Sequence, residues 1–162
     1  MHVMSQLAVL HLKDNDFGRT MFEVIETFSI ANLLDFLKQL SVANETQVLS
    51  LPARGLSDIP GVIRDCDGLK KFDFSQNRCK HLSGFVGLLV HLTDLNLRAN
   101  RLKDLPSELG AIVGMKLLDL GDNRLKEMPV CLTPLHSLTF LWLDQNEIVS
   151  IPSWFADLEC LI

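Results

Sequence analysis

From Thr46 onward, the chain carries its apolar residues in a pattern that repeats every 23 residues. In each unit, two apolar residues separated by one residue precede a turn position, which is asparagine at Asn77, Asn100, Asn123 and Asn146. Period-two alternation is typical of a short β-strand with one buried face. The asparagine can turn the chain after the strand, because its amide can bond backbone groups that would otherwise be buried without partners.

Five frames, beginning at residues 46, 69, 92, 115 and 138, follow the pattern LxxLxLxxNxLxxLPxxLxxLxx, in which L stands for any apolar residue. Three framework positions depart from it: Thr46, Arg54 in place of the asparagine, and Ser83 in place of the proline. Five copies in register identify the leucine-rich repeat. The pattern predicts an α/β solenoid with short parallel strands stacked in sequence order on its concave face. The rest of each unit leaves room for extended or 3₁₀ turns rather than full helices.

The first 45 residues depart from this period. Residues 7–17 carry the strand-and-asparagine signature, with Leu10, Leu12 and Asn15 in frame, and they predict a sixth strand. Between residues 19 and 42 the apolar residues lie three and four positions apart, which predicts a helical insertion on the convex side or across the N-terminal end of the core. Residues 44–46 favour a polar link. We therefore expect an N-terminal strand plus helical unit at 1–45 and five repeats at 46–162.

Composition and charge reduce the number of possible functions. Leucine supplies 31 of the 162 residues, about twice the usual share, which fits a repeat. The formal net charge is −5, so no general basic field is available to attract nucleic acid or anionic lipid. No segment approaches the ~20 apolar residues that span a bilayer. No secretory signal is visible at the N-terminus, so we expect a cytoplasmic chain with reduced cysteines.

Catalytic and metal-binding patterns are missing from the sequence. The four cysteines form no CxxC pair, and the five histidines are too scattered for a zinc site. Cys66 and Cys79 occupy framework positions, where each is expected to act as a small core hydrophobe. The sequence contains neither GxSxG nor a Cys/His nucleophile arrangement. We therefore expect a chain that is not an enzyme and that uses no cofactor and no metal.

The regular part resembles the repeats of the LAP scaffold family, which includes Scribble, Erbin and Densin. The resemblance covers about residues 46–160, and it is carried by the phrases Phe72 to Asn77, Leu95 to Asn100, Leu118 to Asn123 and Leu141 to Asn146. It implies a cytoplasmic adaptor, at the cell cortex, that makes protein–protein contacts. The chain departs from that family in having only about six repeats, no region resembling a PDZ domain, and a helical stretch at 18–45.

The concave face offers candidate binding residues. Positions three, five, seven and eight of each frame are expected there, because they alternate with the buried leucines. Near the C-terminus an apolar patch with an acidic rim forms the kind of surface that serves as a protein-binding hot spot. Alternatively, the patch is only the flank of a further repeat. The predicted partner-binding residues are Trp142, Phe140 and Leu117 in the patch, Asp119, Asp122 and Asp144 in the rim, and Arg98, Asp94, Asp73 and Lys71 beyond it.

Two functions remain open on these grounds. The favoured one is a protein-interaction module, a cytoplasmic adaptor or scaffold, which presents its concave face to a partner with a basic and apolar segment. The alternative is a regulatory fragment of a larger multidomain signalling protein, such as a Roco kinase or a ubiquitin ligase. Leu161 and Ile162 occupy the first two positions of another frame and no cap follows them, so we expect this edge to be covered by self-association, by a partner or by further sequence.

Overall fold

The computed structural model describes residues 30–66 and 68–162. One α-helix, α1, precedes five parallel strands that lie in sequence order in a single sheet. Each strand residue pairs with the residue 23 positions later, so the period of the sequence is also the register of the sheet. The five predicted strands are confirmed, and the predicted sixth strand near Leu10 and Leu12 lies outside the described residues. The elements are α1 at Ile30–Thr46, β1 at Val48–Ser50, β2 at Lys71–Asp73, β3 at Asp94–Asn96, β4 at Leu117–Asp119 and β5 at Phe140–Trp142.

The core lies directly behind the strands. Each strand turns its central residue inward, and the second apolar residue of each pair follows just after the strand. In β1 to β4 all of these side chains are at most 1% exposed. They are Leu49 and Leu51, Phe72 and Phe74, Leu95 and Leu97, and Leu118 and Leu120.

Short 3₁₀ segments form the convex side, as the spacing predicts. They are Gly61–Asp65, Gly84–Leu88, Ser107–Ala111, Val130–Leu132 and Ser153–Asp157. Four of the five follow a proline, whose fixed φ suits the first turn and whose missing N–H is not needed there. At Gly87 a Cβ would lie 2.3 Å from the carbonyl oxygen of Glu108, so glycine permits the close packing of neighbouring segments.

The asparagines form the predicted ladder of side-chain to backbone bonds. In Asn100, Nδ2 donates to the carbonyl oxygens of Phe74 and Leu97, both at 3.0 Å, and Oδ1 accepts from the N–H of Cys79 at 3.1 Å. Each asparagine therefore joins its own repeat to the preceding one. The same pattern recurs at Asn77, Asn123 and Asn146.

Helix α1 confirms the helical prediction for residues 30–42, while residues 19–29 lie outside the described part. Its residues Leu33, Phe36 and Ala43 are buried in the same core as the repeats. The polar link expected at 44–46 is wrong, because the helix continues to Thr46. Gln47 then adopts a left-handed φ of 62°, and its N–H donates to the carbonyl oxygen of Ala43 at 2.8 Å, which ends the helix just before β1. The division into units 1–45 and 46–162 stays a prediction.

Candidate partner-binding face

The apolar patch of Leu117, Phe140 and Trp142 comes together on β4 and β5. The register pairs Leu117 with Phe140 and Asp119 with Trp142. Phe140 and Trp142 lie two residues apart on one strand, so both project to the same side. Their ring centroids are 5.7 Å apart with an angle of 14° between the planes, and the residues are 42% and 39% exposed. The structure therefore presents a stacked aromatic pair to the concave side, with Leu117 beside it.

Arg98 is the residue whose place on this face differs most from expectation. Its Nη2 lies 2.6 Å from Asp144 Oδ2 and its Nη1 lies 3.0 Å from Asp144 Oδ1. A weaker contact of 3.5 Å joins Nη1 to Asp119 Oδ1. The guanidinium passes over Gly121, where a Cβ would lie 2.2 Å from Nη1. Glycine at this position therefore allows a side chain of one repeat to reach the repeat two units away.

This arginine changes the charge of the predicted rim. Its hydrogen bonds hold the pKa of Asp144 below its usual range and raise the pKa of Arg98 itself. Two of the three rim carboxylates thus face a cation within the chain, and in the described structure Asp122 alone of the three forms no ion pair. The sequence carried a signal for this, since Arg98, Gly121 and Asp144 occupy the same position of consecutive frames.

Position five of the second, third and fourth frames has a structural role that sequence reasoning missed. The Oδ1 atoms of Asp73, Asn96 and Asp119 each accept the backbone N–H of the residue two positions later, at 3.0, 3.0 and 2.9 Å. Such bonds turn the chain at the end of a strand. Trp142 occupies the same position in β5 and has no carboxylate or amide oxygen to accept such a bond. The repeated choice of Asp or Asn at this position was the available signal.

Alternation alone also misplaces position eight of each frame, because it assigns this position to the strand face. All five residues at this position have positive φ, between 53° and 58°. They are Ala53, Gln76, Ala99, Asp122 and Gln145. Asp122 therefore lies in a left-handed turn after β4 and not on the strand. No glycine marks the position, so the sequence gives little sign of it.

The remaining predicted residues lie around a shallow groove of about 240 Å³ at the N-terminal half of the face. Lys71 Nζ lies 3.7 Å from Asp94 Oδ1 across β2 and β3. Asp73 and Leu117 also line the groove. Because Leu117 belongs to both the groove and the apolar patch, the two areas are continuous. All ten predicted residues thus lie on the concave strands or the turns that directly follow them.

The described part of the chain offers few residues for catalytic or metal-binding chemistry. Burial raises the pKa of the Cys79 thiol to about 12 and that of Cys131 to about 11, so neither forms a thiolate at neutral pH. Among the described residues no group of three His, Cys, Asp or Glu side chains could hold a metal ion. Nor does the described structure contain a helix of the length and hydrophobicity that a membrane span requires.

Comparison with known proteins supports the repeat assignment. The family model described as leucine rich repeat matches residues 90–148. No curated protein sequence matches the chain. Among solved structures, internalin C2 from Listeria monocytogenes is similar with a TM-score of 0.66 and 27% identity, over 75% of this chain and 51% of that one. The functional domain of InlJ from the same organism has a TM-score of 0.61 and 21% identity, over 71% of this chain and 24% of that one.

The chain therefore spans about half of internalin C2 and about a quarter of the InlJ domain. The likeness to InlJ concerns the fold alone. Together with the sheet order and the asparagine ladder, these matches show that the chain has the leucine-rich-repeat solenoid fold.

Proposed function

We propose that this chain is a protein-interaction module that binds a partner on its concave face, with Phe140 and Trp142 as the anchor. Leucine-rich repeat proteins generally mediate protein–protein interaction. The observation that carries the proposal is the stacked aromatic pair, which is about two-fifths exposed on a strand held by the sheet. Burying such a pair in a partner releases apolar surface from water with little loss of side-chain freedom, because the rings already support each other.

The residues of this face also indicate which chemical groups the partner should carry. An apolar segment of the partner would cover Phe140, Trp142 and Leu117. A basic group beside that segment would meet Asp122, which has no ion-pair partner in the described structure. A cation aimed at Asp144 would instead have to compete with Arg98, which holds that carboxylate through two bonds.

The cellular setting belongs to the same proposal. The resemblance to the LAP repeats supports a cytoplasmic adaptor or scaffold at the cell cortex. A regulatory segment of a larger signalling protein would use the concave face in the same way, so the binding experiment below applies to both. Self-association through the last repeat remains a further prediction, and sedimentation of the purified chain at several concentrations measures it.

The experiment compares partner capture and affinity for the wild type, Trp142→Ala and a control. Proteins captured by the wild type are identified, and their affinities are then measured with purified components. Trp142→Ala should weaken binding by about 2 kcal/mol or more, as truncation of a hot-spot aromatic does. The control, Val113→Ala, truncates a 58% exposed apolar residue away from the strands and should leave affinity unchanged.

Thermal unfolding of each variant separates binding from folding. We expect the Trp142→Ala protein to unfold close to the wild-type temperature, since the side chain is not part of the buried core. A partner that binds the wild type, Trp142→Ala and Val113→Ala equally would contradict the proposed anchor.

A further inference from the structure

The flank of the solenoid between the asparagine turn and the 3₁₀ segments carries a dense group of positive charges. Frame positions ten and twelve are arginine and lysine in three consecutive repeats, and all six side chains are exposed. We call this group the basic stripe, and it consists of Arg78, Lys80, Arg101, Lys103, Arg124 and Lys126. The net charge of −5 conceals it, because the remaining nine cations are spread against 20 carboxylates.

The backbone holds these cations in two regular rows. The residue between each arginine and lysine is fully buried, as Leu102 and Leu125 show, so its neighbours point outward on both sides. The N–H of Arg101 donates to the carbonyl oxygen of Cys79 at 2.8 Å, and the N–H of Arg124 donates to that of Leu102 at 2.9 Å. These bonds keep adjacent repeats at about the 4.8 Å spacing of parallel strands. Each row therefore places like charges side by side.

Side-by-side like charges destabilise a folded chain unless something neutralises them. In the described structure none of the six forms an ion pair with a carboxylate. The nearby carboxylate of Asp104 lies instead 3.5 Å from His81 Nδ1. The carboxylates of Asp104, Glu127 and Glu147 lie near the stripe without an ion pair to it, so its cations remain available to an anionic group from outside the chain.

The surface of the basic stripe also contains grooves that can receive side chains of a partner. Two shallow grooves, of about 280 and 300 Å³, both include Lys103 and Lys126 in their walls. Arg124 and Glu147 line one of them, and the other has Asp104 and Glu127 in its walls and an apolar side formed by Met128 and Val130. No aromatic side chain lines either groove, so the surface has no platform on which a nucleic-acid base could stack.

We propose that the basic stripe binds a short acidic segment of a protein partner, such as a run of glutamates or aspartates. The arginine fork matches a carboxylate through two parallel bonds. Three repeats at about 4.8 Å span roughly 10 Å, which suits two or three carboxylates from a short segment. A long polyanion would extend past the stripe and meet the excess of carboxylates on the rest of the chain. The stripe lies on the flank and takes an acidic ligand, whereas the acidic concave rim takes a basic one, so the stripe is a second surface.

The test uses a fluorescein-labelled peptide of eight glutamates at low ionic strength, with binding followed by fluorescence anisotropy. The variant Lys80→Glu, Lys103→Glu, Lys126→Glu reverses one row of the stripe. The matched control Lys38→Glu, Lys70→Glu, Lys116→Glu makes the same three changes at exposed lysines elsewhere, so both proteins have the same net charge. Circular dichroism checks that both variants are folded.

The wild type should bind the peptide, and the affinity should fall as salt is added. The stripe variant should bind about tenfold more weakly, since three exposed charge pairs are lost, while the control should change by less than about twofold. Equal weakening in both variants would show that only net charge matters and would overturn the proposal. No binding by the wild type would also overturn it.

Two further measurements test the identity of the ligand. Tighter binding of an eight-residue oligothymidylate than of the glutamate peptide would assign the stripe to nucleic acid instead. A salt-sensitive dimer in sedimentation, abolished by the stripe variant and kept by the control, would assign it to a second copy of this chain. An unlabelled glutamate peptide that competes with the probe, where a glutamine peptide does not, supports the acidic segment.

Discussion

The inner repeats and the fifth repeat share one sequence pattern but differ in how well it is buried. In the fourth frame Leu118 and Leu120 are completely buried, and Asn123 is 7% exposed. In the fifth frame Leu141 and Leu143 are only partly buried, and Ile151 is 72% exposed, whereas the equivalent Met128 of the fourth frame is 7% exposed. The burial of a framework residue therefore depends on the layers stacked on both sides of it and not on its identity alone.

The first repeat shows how a different element can supply one of those layers. Leu49 and Leu51 are completely buried, although no repeat precedes them within the described residues. Helix α1 packs against β1 and contributes Leu33 and Phe36 to the same core. The helix thus does for β1 what a neighbouring strand layer does for β2 to β4.

The largest expected effect comes from truncating the same framework position in an inner and an outer repeat. Leu118→Ala should lower the free energy of unfolding by about 2–5 kcal/mol, through lost transfer energy and a cavity that neighbours on both sides cannot fill. Leu141→Ala should cost less than half as much, because that side chain is already partly in water. Urea unfolding of both variants measures the difference. Equal losses would mean that the fifth repeat is packed as tightly as the fourth.

A second matched pair tests the asparagine ladder. Asn100→Ala leaves the N–H of Cys79 and the carbonyl oxygen of Phe74 without the side chain that bonds them, in a site only 8% exposed. We expect a loss of about 2–3 kcal/mol, which is the range for buried polar groups left unpaired. Asn146→Ala breaks equivalent bonds in a partly exposed site, where water can replace the amide, so its loss should be about 1 kcal/mol or less.

Thermal unfolding of these two asparagine variants, with Asn96→Ala as a control, checks the order. Asn96 accepts a single bond, from the N–H of Arg98, and lies outside the ladder. A loss for Asn146→Ala as large as that for Asn100→Ala would contradict the role assigned to burial.

The sequence predicts the parts of this molecule that repeat with the 23-residue period. Strand order, the convex 3₁₀ turns and the asparagine bonds all follow from that period, because equivalent residues meet equivalent neighbours in each layer. The contact between Arg98 and Asp144 does not follow from it, since it skips one repeat and depends on the missing side chain of Gly121. The end of α1 was missed for a related reason, because Gln47 makes the turn without a glycine to mark it.

The sequence also predicts the members of the concave face better than their roles. Alternation places Lys71, Asp94 and Trp142 on the correct side. It cannot show that the carboxylate of Asp73 bonds a backbone N–H of its own repeat, because that depends on the local turn after the strand. Nor does a net charge of −5 reveal cations that are concentrated along one flank.

A smaller effect is expected where α1 meets the first repeat. Arg54 stands in the place of the asparagine and forms an ion pair with Asp35 on the helix. The side chain of Arg54 is 16% exposed and that of Asp35 is 48% exposed, so water screens the pair in part. Alanine at each position and at both should reveal a coupling of about 1 kcal/mol in a double-mutant cycle of unfolding free energies. A coupling near zero would mean that apolar packing, and not this ion pair, holds the helix against the first repeat.

The smallest effect on stability is expected for the two-bond ion pair between Arg98 and Asp144, which we call the clamp. Its effect on the pKa of Asp144 should be the clearest result. Both groups face solvent, so Arg98→Ala should barely change the unfolding temperature. The pKa of Asp144 is lowered by hydrogen bonds from Arg98, so the clamp stabilises the fold above the usual carboxyl pKa, about 3.9, and this contribution disappears as the pH falls through the lowered value. Carboxyl titration by NMR should show the pKa of Asp144 rising toward the ordinary value of an aspartate in Arg98→Ala.

The substitution Gly121→Ala tests the same contact while leaving both Arg98 and Asp144 in place. Its Cβ would lie 2.2 Å from Arg98 Nη1, so the guanidinium must leave Asp144, and the pKa of that carboxyl should rise as it does in Arg98→Ala. Arg101→Ala, which removes a cation from the flank, should leave the titration of Asp144 unchanged. If Gly121→Ala also left it unchanged, the arginine would have a second route to Asp144. The fifth repeat would then be joined to the inner repeats by a contact that does not need the glycine.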